Sequence, residues 1–459
     1  MRVHFIAVGG SAMHNLAIAL KKKEYHVSGS DDEIFEPSRT RLKNYGLLPP
    51  ETGWFVEKIS PELDAVIVGM HAKEDNPELI AAKHMGVKIF SYPEFLYEQS
   101  VNKTRVVIGG SHGKTTITSM ILHVLQQKGI PCDYMVGAQL EGFEVMVKLS
   151  DEAKFIILEG DEYLSSPTDR RPKFHLYQPH IALISGIAWD HINVFPTFEI
   201  YLDQFRKFIE KIEPGGTLIY CAEDMHVKQL SENSNDKRIK RKPYTLPPHV
   251  IKEGQTFLTY NEEIYPLQVF GNHNLLNMAG AMEVCLEMGV APKEFLEAIK
   301  SFKGASNRLQ TLAKNNNTVV FKDFAHAPSK LKATIEAVKQ QFPQRKLVAC
   351  MELHTYSSLN KDFLVQYKNC MGEADEALVF YNPHALKIKR LPDISREMIY
   401  DAFSKDNLKI FSDSNALREE ILSHKSLNSA FLLMSSGNFG NMDLNALAED
   451  IIQPYTNKK

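Results

Sequence analysis

Arg105-Val-Val-Ile-Gly-Gly-Ser-His-Gly-Lys-Thr-Thr116 decides how this chain is read. It starts as a strand of β-branched residues, turns through Gly109, Gly110 and Gly113, and enters a helix predicted over Ile117–Gln127. Glycines at such a turn let backbone N–H groups converge on phosphate oxygens, and the helix N-terminus adds its partial positive charge. Gly110, Ser111, His112, Gly113, Lys114, Thr115 and Thr116 would form the cradle. In it, Lys114 reaches terminal phosphates and the Thr115 hydroxyl ligates Mg²⁺. The usual spacing puts a glycine at position 108, where this chain has Ile108, so the loop is a variant.

Downstream, Phe155-Ile-Ile-Leu-Glu159 is an apolar strand ending in an acid, the way phosphate-loop enzymes place a carboxylate near Mg²⁺. Gly160-Asp161-Glu162 adds more acid. Ile181–Ser185 reads as another strand, followed by Trp189-Asp190-His191. A histidine just past a strand's C-terminal end lies at the rim where α/β sheets bind ligands. The basic run Asp236–Lys242 reads as a solvated surface loop. Strand-like pieces around it (Thr217–Cys221, Phe257–Tyr260, Tyr265–Val269) suggest an extra sheet in the middle domain. Phe270-Gly-Asn-His-Asn-Leu-Leu-Asn277 then opens a helix through Met288. His273, Asn274 and Asn277 at that helix start suit a purine edge and its phosphates, with helix capping by asparagine as the alternative.

Upstream, Val3–Val8 is a strand, Gly9-Gly10 turns it into a helix over Ala12–Lys23, and a second strand ends in Gly29-Ser30-Asp31. This is the Rossmann βαβ arrangement. Its dinucleotide fingerprint is missing, because Ser11 and His14 fill the later glycine positions. A nucleotide diphosphate at this helix N-terminus therefore fits better than NAD. Toward the C-terminus, strands at Val319–Asp323, Lys346–Met351, Glu376–Tyr381 and Ala430–Met434 each precede a polar or His-bearing loop. That pattern is the binding edge of another doubly wound sheet. The polar stretch at Val101–Arg105 and the Ser306-Asn-Arg-Leu-Gln segment divide the chain into 1–101, 102–305 and 306–459, about three domains of typical size.

The bulk numbers agree with a globular enzyme and exclude some classes. Of 459 residues, 44% are hydrophobic and 24% charged, and the formal net charge of −3 argues against nucleic-acid or membrane-surface binding. Five scattered cysteines without a CxxC pair give neither a zinc signature nor a disulfide framework and suit a reducing cytoplasm. No apolar run is long enough to span a bilayer, and the N-terminus runs directly into a strand, with no signal peptide expected.

Taken in order, these motifs resemble the Mur ligases, ATP-dependent amino-acid and peptide ligases of peptidoglycan metabolism. The marks are Gly110-Ser-His-Gly-Lys-Thr-Thr116, Glu159, Asp190-His191, Gly271–Asn277, Arg308 and Asp323-Phe-Ala-His-Ala-Pro328. Gly9-Gly10-Ser11, Ser28-Gly-Ser-Asp31 and Asp75-Asn-Pro-Glu78 resemble the branch that uses UDP-N-acetylmuramate. Within that branch the amine is either L-alanine or the recovered tripeptide L-alanyl-γ-D-glutamyl-meso-diaminopimelate. Glu162-Tyr163 and the insert Asp169–Phe174 resemble the tripeptide-using, recycling type. Ala7, Asn307, Lys322 and Ala327 depart from the residues usual in the family and leave the amine open.

The resemblance implies an α/β chain of three domains: a Rossmann-like UDP-binding domain, a phosphate-loop ATPase-like domain and a doubly wound C-terminal domain. It implies that the lactyl carboxylate attacks the γ-phosphate of ATP to give an acyl phosphate, which the amine then displaces. On that basis Lys114 sits on the β/γ oxygens, Thr115 and Glu159 hold one Mg²⁺, and His191 contacts a second divalent ion. His273, Asn274 and Asn277 contact adenine or phosphates, Arg308 and Asp323 the γ-phosphate and ribose, and His326 the reacting groups. Gly9, Gly10, Ser11, Ser30 and Asp31 bind the UDP-sugar. Some Mur ligases carry a carbamylated lysine beside the metal; the sequence does not identify Lys207 or any other lysine as its counterpart.

Overall fold

The strand that leads into the phosphate loop, Thr104–Gly109, is fourth of seven in its sheet. It runs parallel to Phe155–Gly160 on one side and Ile181–Ile184 on the other. Val106, Val107 and Ile108 are fully buried, as a central parallel strand covered on both faces requires. Thr217–Cys221 and then Lys240–Tyr244 extend the sheet beyond Ile181–Ile184. Cys132–Met135 and the antiparallel Val147–Lys148 close its other edge. The computed structural model describes residues 1–140, 142–166, 169–234, 236–305, 307–426 and 428–453. Ser306, at the expected second boundary, lies outside them.

The chain divides into two units. The first comprises Met1–Ile187, Glu199–Thr245 and Gly280–Phe295; the second comprises Ala188–Phe198, Leu246–Ala279 and Leu296–Lys459. The first unit also holds a four-stranded parallel sheet in the order His26–Ser30, Arg2–Ile6, Ala65–Val68, Ile89–Ser91. Buried Arg105 ties this sheet's trailing segment to the seven-stranded sheet. Its guanidinium donates to the carbonyls of Tyr177, Gln178 and Ser100 and to Glu213, under the ring of Tyr97.

The second unit is built on a six-stranded sheet in the order Gln310–Lys314, Thr318–Asp323, Ser429–Met434, Lys346–Leu353, Glu376–Tyr381, Leu408–Phe411. All its pairings are parallel except the first. The helix Pro328–Gln341 crosses from the second strand to the fourth, so Ser429–Met434 is inserted between them. The binding crevice of such sheets lies at this kind of reversal. A separate antiparallel sheet, His249–Lys252, Gln255–Tyr260 and Glu263–Leu267, is pinned to that helix. Thr256 Oγ1 donates to Gln341 Oε1 at 2.9 Å, and Gln341 Nε2 donates to Gly254 O at 2.5 Å.

The α/β architecture with parallel sheets is as expected; three local readings change. The basic run is not wholly a loop, because Lys240–Tyr244 forms the edge strand of the seven-stranded sheet. An edge strand accepts charged side chains and a proline such as Pro243, since one face of its backbone has no partner to satisfy. Thr217–Cys221 belongs to the central sheet rather than to an extra one, and the extra sheet falls in the second unit. The phosphate-loop helix starts at Lys114, three residues before the expected Ile117, because Gly113 takes the cap position at φ +81°. Among the described residues no helix is long and apolar enough to cross a membrane, and all five cysteines are buried thiols.

Candidate active site

The phosphate loop is fixed by close backbone approach. Gly110 has φ +133°, and a Cβ there would lie 2.1 Å from Ser185 Oγ; a Cβ on Gly186 would lie 2.3 Å from the His112 ring. Ser111 N donates to Gly186 O at 2.9 Å, and the Ser185 hydroxyl donates to His112 O with Gly109 O also within reach at 3.3 Å. The loop is thus held against the end of the adjacent strand by its own main chain. No side chain caps the helix at Gly113, which keeps its N-terminal dipole available to an anion.

Two carboxylates converge here. Glu159 accepts from Thr115 Oγ1 at 2.8 Å and from Gly137 N at 2.9 Å. Lys114 donates to Gly110 O at 2.6 Å and to Glu162. Burial alone would lower the Lys114 pKa, but Glu162, Asp161 and Glu159 outweigh it and raise the value, so the ammonium stays charged. Among the described residues no three His, Cys, Asp or Glu side chains form a ready metal cage. One hydroxyl and one carboxylate, Thr115 and Glu159, are still the donor set that Mg²⁺ takes beside nucleotide phosphates. Thr116 is buried in the first helical turn. Lys207 is not part of this cluster: its side chain is half exposed and pairs with Asp203 at 2.8 Å.

The expected UDP-binding residues gather at the C-terminal ends of the first unit's smaller sheet. Gly10 caps the helix Ser11–Lys22, with Ser11 exposed at its start. Asp31 is buried and accepts from Gly9 N at 2.7 Å; burial raises its pKa against the pull of that bond. Ser30 is buried, its carbonyl taking Ala7 N and Val8 N and its hydroxyl taking Lys58 Nζ at 3.1 Å. The Asp75–Glu78 motif acts as a brace. Asn76 caps the helix Pro77–His84, and buried Glu78 accepts from Phe55 N at 2.7 Å and meets His4 Nε2 at 3.2 Å. Burial pushes the Glu78 pKa up, but His4, Ser30 and Phe55 bring it below the usual range.

In the second unit the structure brings Asp190, His191, Arg308, Asp323 and His326 into one neighbourhood. His191 sits at φ +55°, its N–H on Asp190 Oδ1 at 2.7 Å. Burial would raise the Asp190 pKa; Lys330, His191 and His326 more than offset this and lower it. Lys330 Nζ lies 3.9 Å from Asp190 Oδ2. The His326 pKa is pushed down to about 4, mainly by burial and then by Lys330, so at neutral pH the ring is uncharged, with Nδ1 2.8 Å from Phe324 O. Asp323 accepts from Leu309 N at 2.6 Å and Ala325 N at 2.7 Å, which fixes the Arg308 segment to the strand end. The Arg308 guanidinium stacks 4.7 Å over Phe324. At the start of the helix Asn272–Glu287, Asn274 Nδ2 donates one turn back to Phe270 O at 2.9 Å, which is not the N-cap bond of the capping alternative, and Asn277 is buried on the same face; His273 is partly exposed.

Sequence reasoning missed Tyr201, Ser185, Gly137 and Lys330. Ser185 and Gly137 act through geometry that no local pattern encodes. Tyr201 had a signal: it is the one hydroxyl on the buried face Tyr201, Phe205, Phe208 of the helix Phe198–Glu210. Lys330 had another, since a cation in the first turn of the Pro328–Gln341 helix opposes the helix dipole.

A phosphate loop, a carboxylate–hydroxyl pair and a Rossmann-like sheet in one unit, with a His/Asp/Arg/Lys cluster in the second unit, fit a nucleotide-using ligase. The chain matches the models for the Mur ligase family catalytic domain over residues 2–103, the Mur ligase middle domain over 108–285 and the Mur ligase glutamate ligase domain over 307–437. It belongs to the Mur ligase family of ATP-dependent, amide-forming ligases. It is 27% identical over 452 residues to the UDP-N-acetylmuramate–L-alanyl-γ-D-glutamyl-meso-2,6-diaminoheptandioate ligase of Haemophilus influenzae, covering 95% of this chain and 96% of that one. It is 30% identical over 456 residues to the UDP-N-acetylmuramate–L-alanine ligase of Clostridium acetobutylicum, covering 95% and 94%. Among solved structures, the murein peptide ligase of Psychrobacter arcticus has a TM-score of 0.63 at 22% identity, covering 99% of this chain and 100% of that one. The UDP-N-acetylmuramate–alanine ligase of Thermotoga maritima has a TM-score of 0.68 at 20% identity, covering 98% of each chain.

Proposed function

We propose that this chain joins the lactyl carboxylate of UDP-N-acetylmuramate to the amino group of the tripeptide L-alanyl-γ-D-glutamyl-meso-diaminopimelate, in peptidoglycan recycling. The observation that carries the tripeptide reading is the segment Tyr163–Phe174, whose Glu162-Tyr163 start and Asp169–Phe174 insert resemble the recycling type. Its described residues on the two sides pair with each other and with Asp161. Ser165 N bonds Arg171 O at 2.9 Å, Lys173 N bonds Tyr163 O at 3.0 Å, and Lys173 Nζ pairs with Asp161 at 2.7 Å.

In the first step a carboxylate oxygen of the sugar forms a bond to the γ-phosphorus and the bond to ADP breaks. Charge then spreads over phosphoryl oxygens, so catalysis is positioning and electrostatic stabilisation. Lys114, the Gly113–Thr116 amides and the helix N-terminus supply positive potential there. Thr115 and Glu159 would hold the Mg²⁺, which neutralises phosphate charge when bound. In the second step the amine nitrogen bonds to the acyl carbon, phosphate leaves and the nitrogen loses a proton. Arg308, Asp190, His191 and neutral His326 are assigned to this reaction, the uncharged His326 ring as a hydrogen-bonding group beside the reacting atoms.

L-Alanine as the amine is the second reading, favoured by the L-alanine ligases among the relatives. One assay separates them. Purified protein receives ATP, Mg²⁺ and UDP-N-acetylmuramate with either L-alanine or the tripeptide, and phosphate release and product mass are measured. Turnover with the tripeptide and little with L-alanine is expected; turnover with L-alanine alone overturns the tripeptide reading.

A further inference from the structure

The first unit places a second buried carboxylate on the lysine of its phosphate loop. Glu162 has a side chain 1% exposed, and one of its oxygens accepts from Lys114. The other accepts from Tyr201 OH at 3.1 Å. Tyr201 is fully buried and shares a 2.7 Å hydrogen bond with Ser111 Oγ, which lies in the loop itself. With Tyr201 donating to Glu162, the Ser111 hydroxyl donates to Tyr201. The chain Lys114–Glu162–Tyr201–Ser111 therefore leaves the loop and returns to it. The metal pair Thr115–Glu159 is separate, with its own 2.8 Å bond.

An ammonium group has three N–H donors, and here one goes to Gly110 O and one to Glu162. A buried carboxylate and a phosphate oxygen are the same kind of acceptor for that ammonium. We propose that Glu162 is an internal stand-in for nucleotide phosphate: it holds Lys114 in the loop while no nucleotide is bound and gives the lysine up when one binds. Tyr201, backed by Ser111, keeps the displaced carboxylate hydrogen-bonded, which limits the cost of leaving a buried anion without its cation. The proposal rests on the assignment of Gly110–Thr116 to the triphosphate.

Two consequences follow that a merely structural role for these residues would not produce. Removing the Glu162 charge removes a competitor, so nucleotide binds more tightly. Removing the Tyr201 hydroxyl makes displacement of Glu162 harder, so nucleotide binds more weakly, but only while Glu162 is present.

The test is isothermal titration of ADP, with and without Mg²⁺, into the full chain and its variants. Glu162→Gln should tighten ADP binding on the order of tenfold, the scale of one charge-assisted hydrogen bond. Tyr201→Phe should weaken it severalfold, and the Glu162→Gln/Tyr201→Phe double variant should match Glu162→Gln alone. Unchanged or weaker binding by Glu162→Gln overturns the proposal. So does a Tyr201→Phe effect of equal size in both backgrounds. A higher Mg²⁺ requirement in Glu162→Gln also overturns it, since Glu162 would then be a metal ligand. If Glu162→Gln does not fold, Tyr201→Phe alone decides, and unchanged or tighter ADP binding by it refutes the idea. Lys114→Ala is the separate check on the loop: if it binds ADP like the wild type, the triphosphate assignment fails rather than the role of Glu162.

Discussion

Replacing Gly110 by alanine should disable the phosphate loop, and the structure gives the size of the effect. At φ +133° an alanine is in a region L-residues rarely occupy, a strain of about 1–3 kcal/mol. Its Cβ would lie 2.1 Å from Ser185 Oγ, and the nearby Ser185 N at 3.1 Å and Gly186 N at 3.3 Å belong to the main chain and cannot swing aside. Ser185 would have to rotate, giving up the one hydrogen that it shares between Gly109 O and His112 O, a hydrogen bond worth about 1 kcal/mol net. The sum is about 2–4 kcal/mol, a large part of a typical total stability of about 5–15 kcal/mol. If the loop shifts instead of unfolding, the same energy appears as ADP binding weakened by about one and a half to three powers of ten, at about 1.4 kcal/mol per decade. Gly129→Ala is the matched control, since it has φ +65° but open space around its Cβ. It should cost only about 1–2 kcal/mol of stability and leave ADP binding intact. Adding Ser185→Ala to Gly110→Ala should recover part of the loss, because the closest overlap disappears. Thermal unfolding and ADP titration measure both quantities. A Gly110→Ala protein with wild-type melting and affinity, or one no worse than Gly129→Ala, would refute the reasoning.

Three further outcomes are expected. Lys114→Ala should abolish ATP-dependent ligation while leaving UDP-sugar binding largely intact, as phosphate release and sugar titration would show; near-normal turnover would remove the phosphate assignment. Buried His175 has its pKa pushed down to about 4, by burial first and then by Lys207, Lys211 and Arg171, while its Nε2 bonds Gln204 O at 2.7 Å. The fold therefore refuses a proton that the unfolded chain accepts near 6.5, so stability should fall by about 3 kcal/mol as pH drops from 6.5 to 4. Urea midpoints should show a weaker fall in His175→Gln; an equal acid slope would contradict this. Ala7 holds φ +67°, where the family often has glycine, so Ala7→Gly should not show the usual destabilisation of about 0.5–1 kcal/mol and should raise the melting temperature slightly.

Much of this molecule is legible in its sequence because the informative residues act locally. The Thr217–Cys221 and Glu376–Tyr381 strands have the expected ends, and Glu159 at the end of its apolar strand does meet Thr115. Such features follow from periodicity, caps and strand-end chemistry within a few residues. The rest depends on what arrives from far along the chain. Lys240–Tyr244 looks like a solvated basic run until Thr217–Cys221 offers it a backbone edge. Asp323 reads in the sequence as a ligand contact, and the fold adds what the sequence does not show: each of its oxygens also holds the main chain, at Leu309 and Ala325. Glu162 is visible in the sequence as an acid in a turn and as part of the Glu162-Tyr163 mark, but its partner Tyr201 comes 39 residues later. Long-range pairings of polar groups leave no periodic trace, so they are found only once the fold brings them together.

The missing glycine at position 108 shows how one departure can be read structurally. In this chain the strand does not turn at 108. Ile108 is fully buried in the centre of the sheet, in register with Glu159 on one neighbour and Leu183 on the other. The turn instead begins two residues later, where Gly110 takes φ +133° and Gly113 follows at φ +81°. Extending the strand to Gly109 carries the ladder to the level of Glu159 and Gly160, so the carboxylate that bonds Thr115 is fixed by sheet pairing. A glycine at 108 would remove apolar contact from the best-packed part of the sheet and free the main chain where the Thr115–Glu159 pair needs it rigid. Ile108 is therefore consistent with phosphate binding: it sets the distance between loop and carboxylate, and the conformational freedom that the loop requires is confined to Gly110 and Gly113.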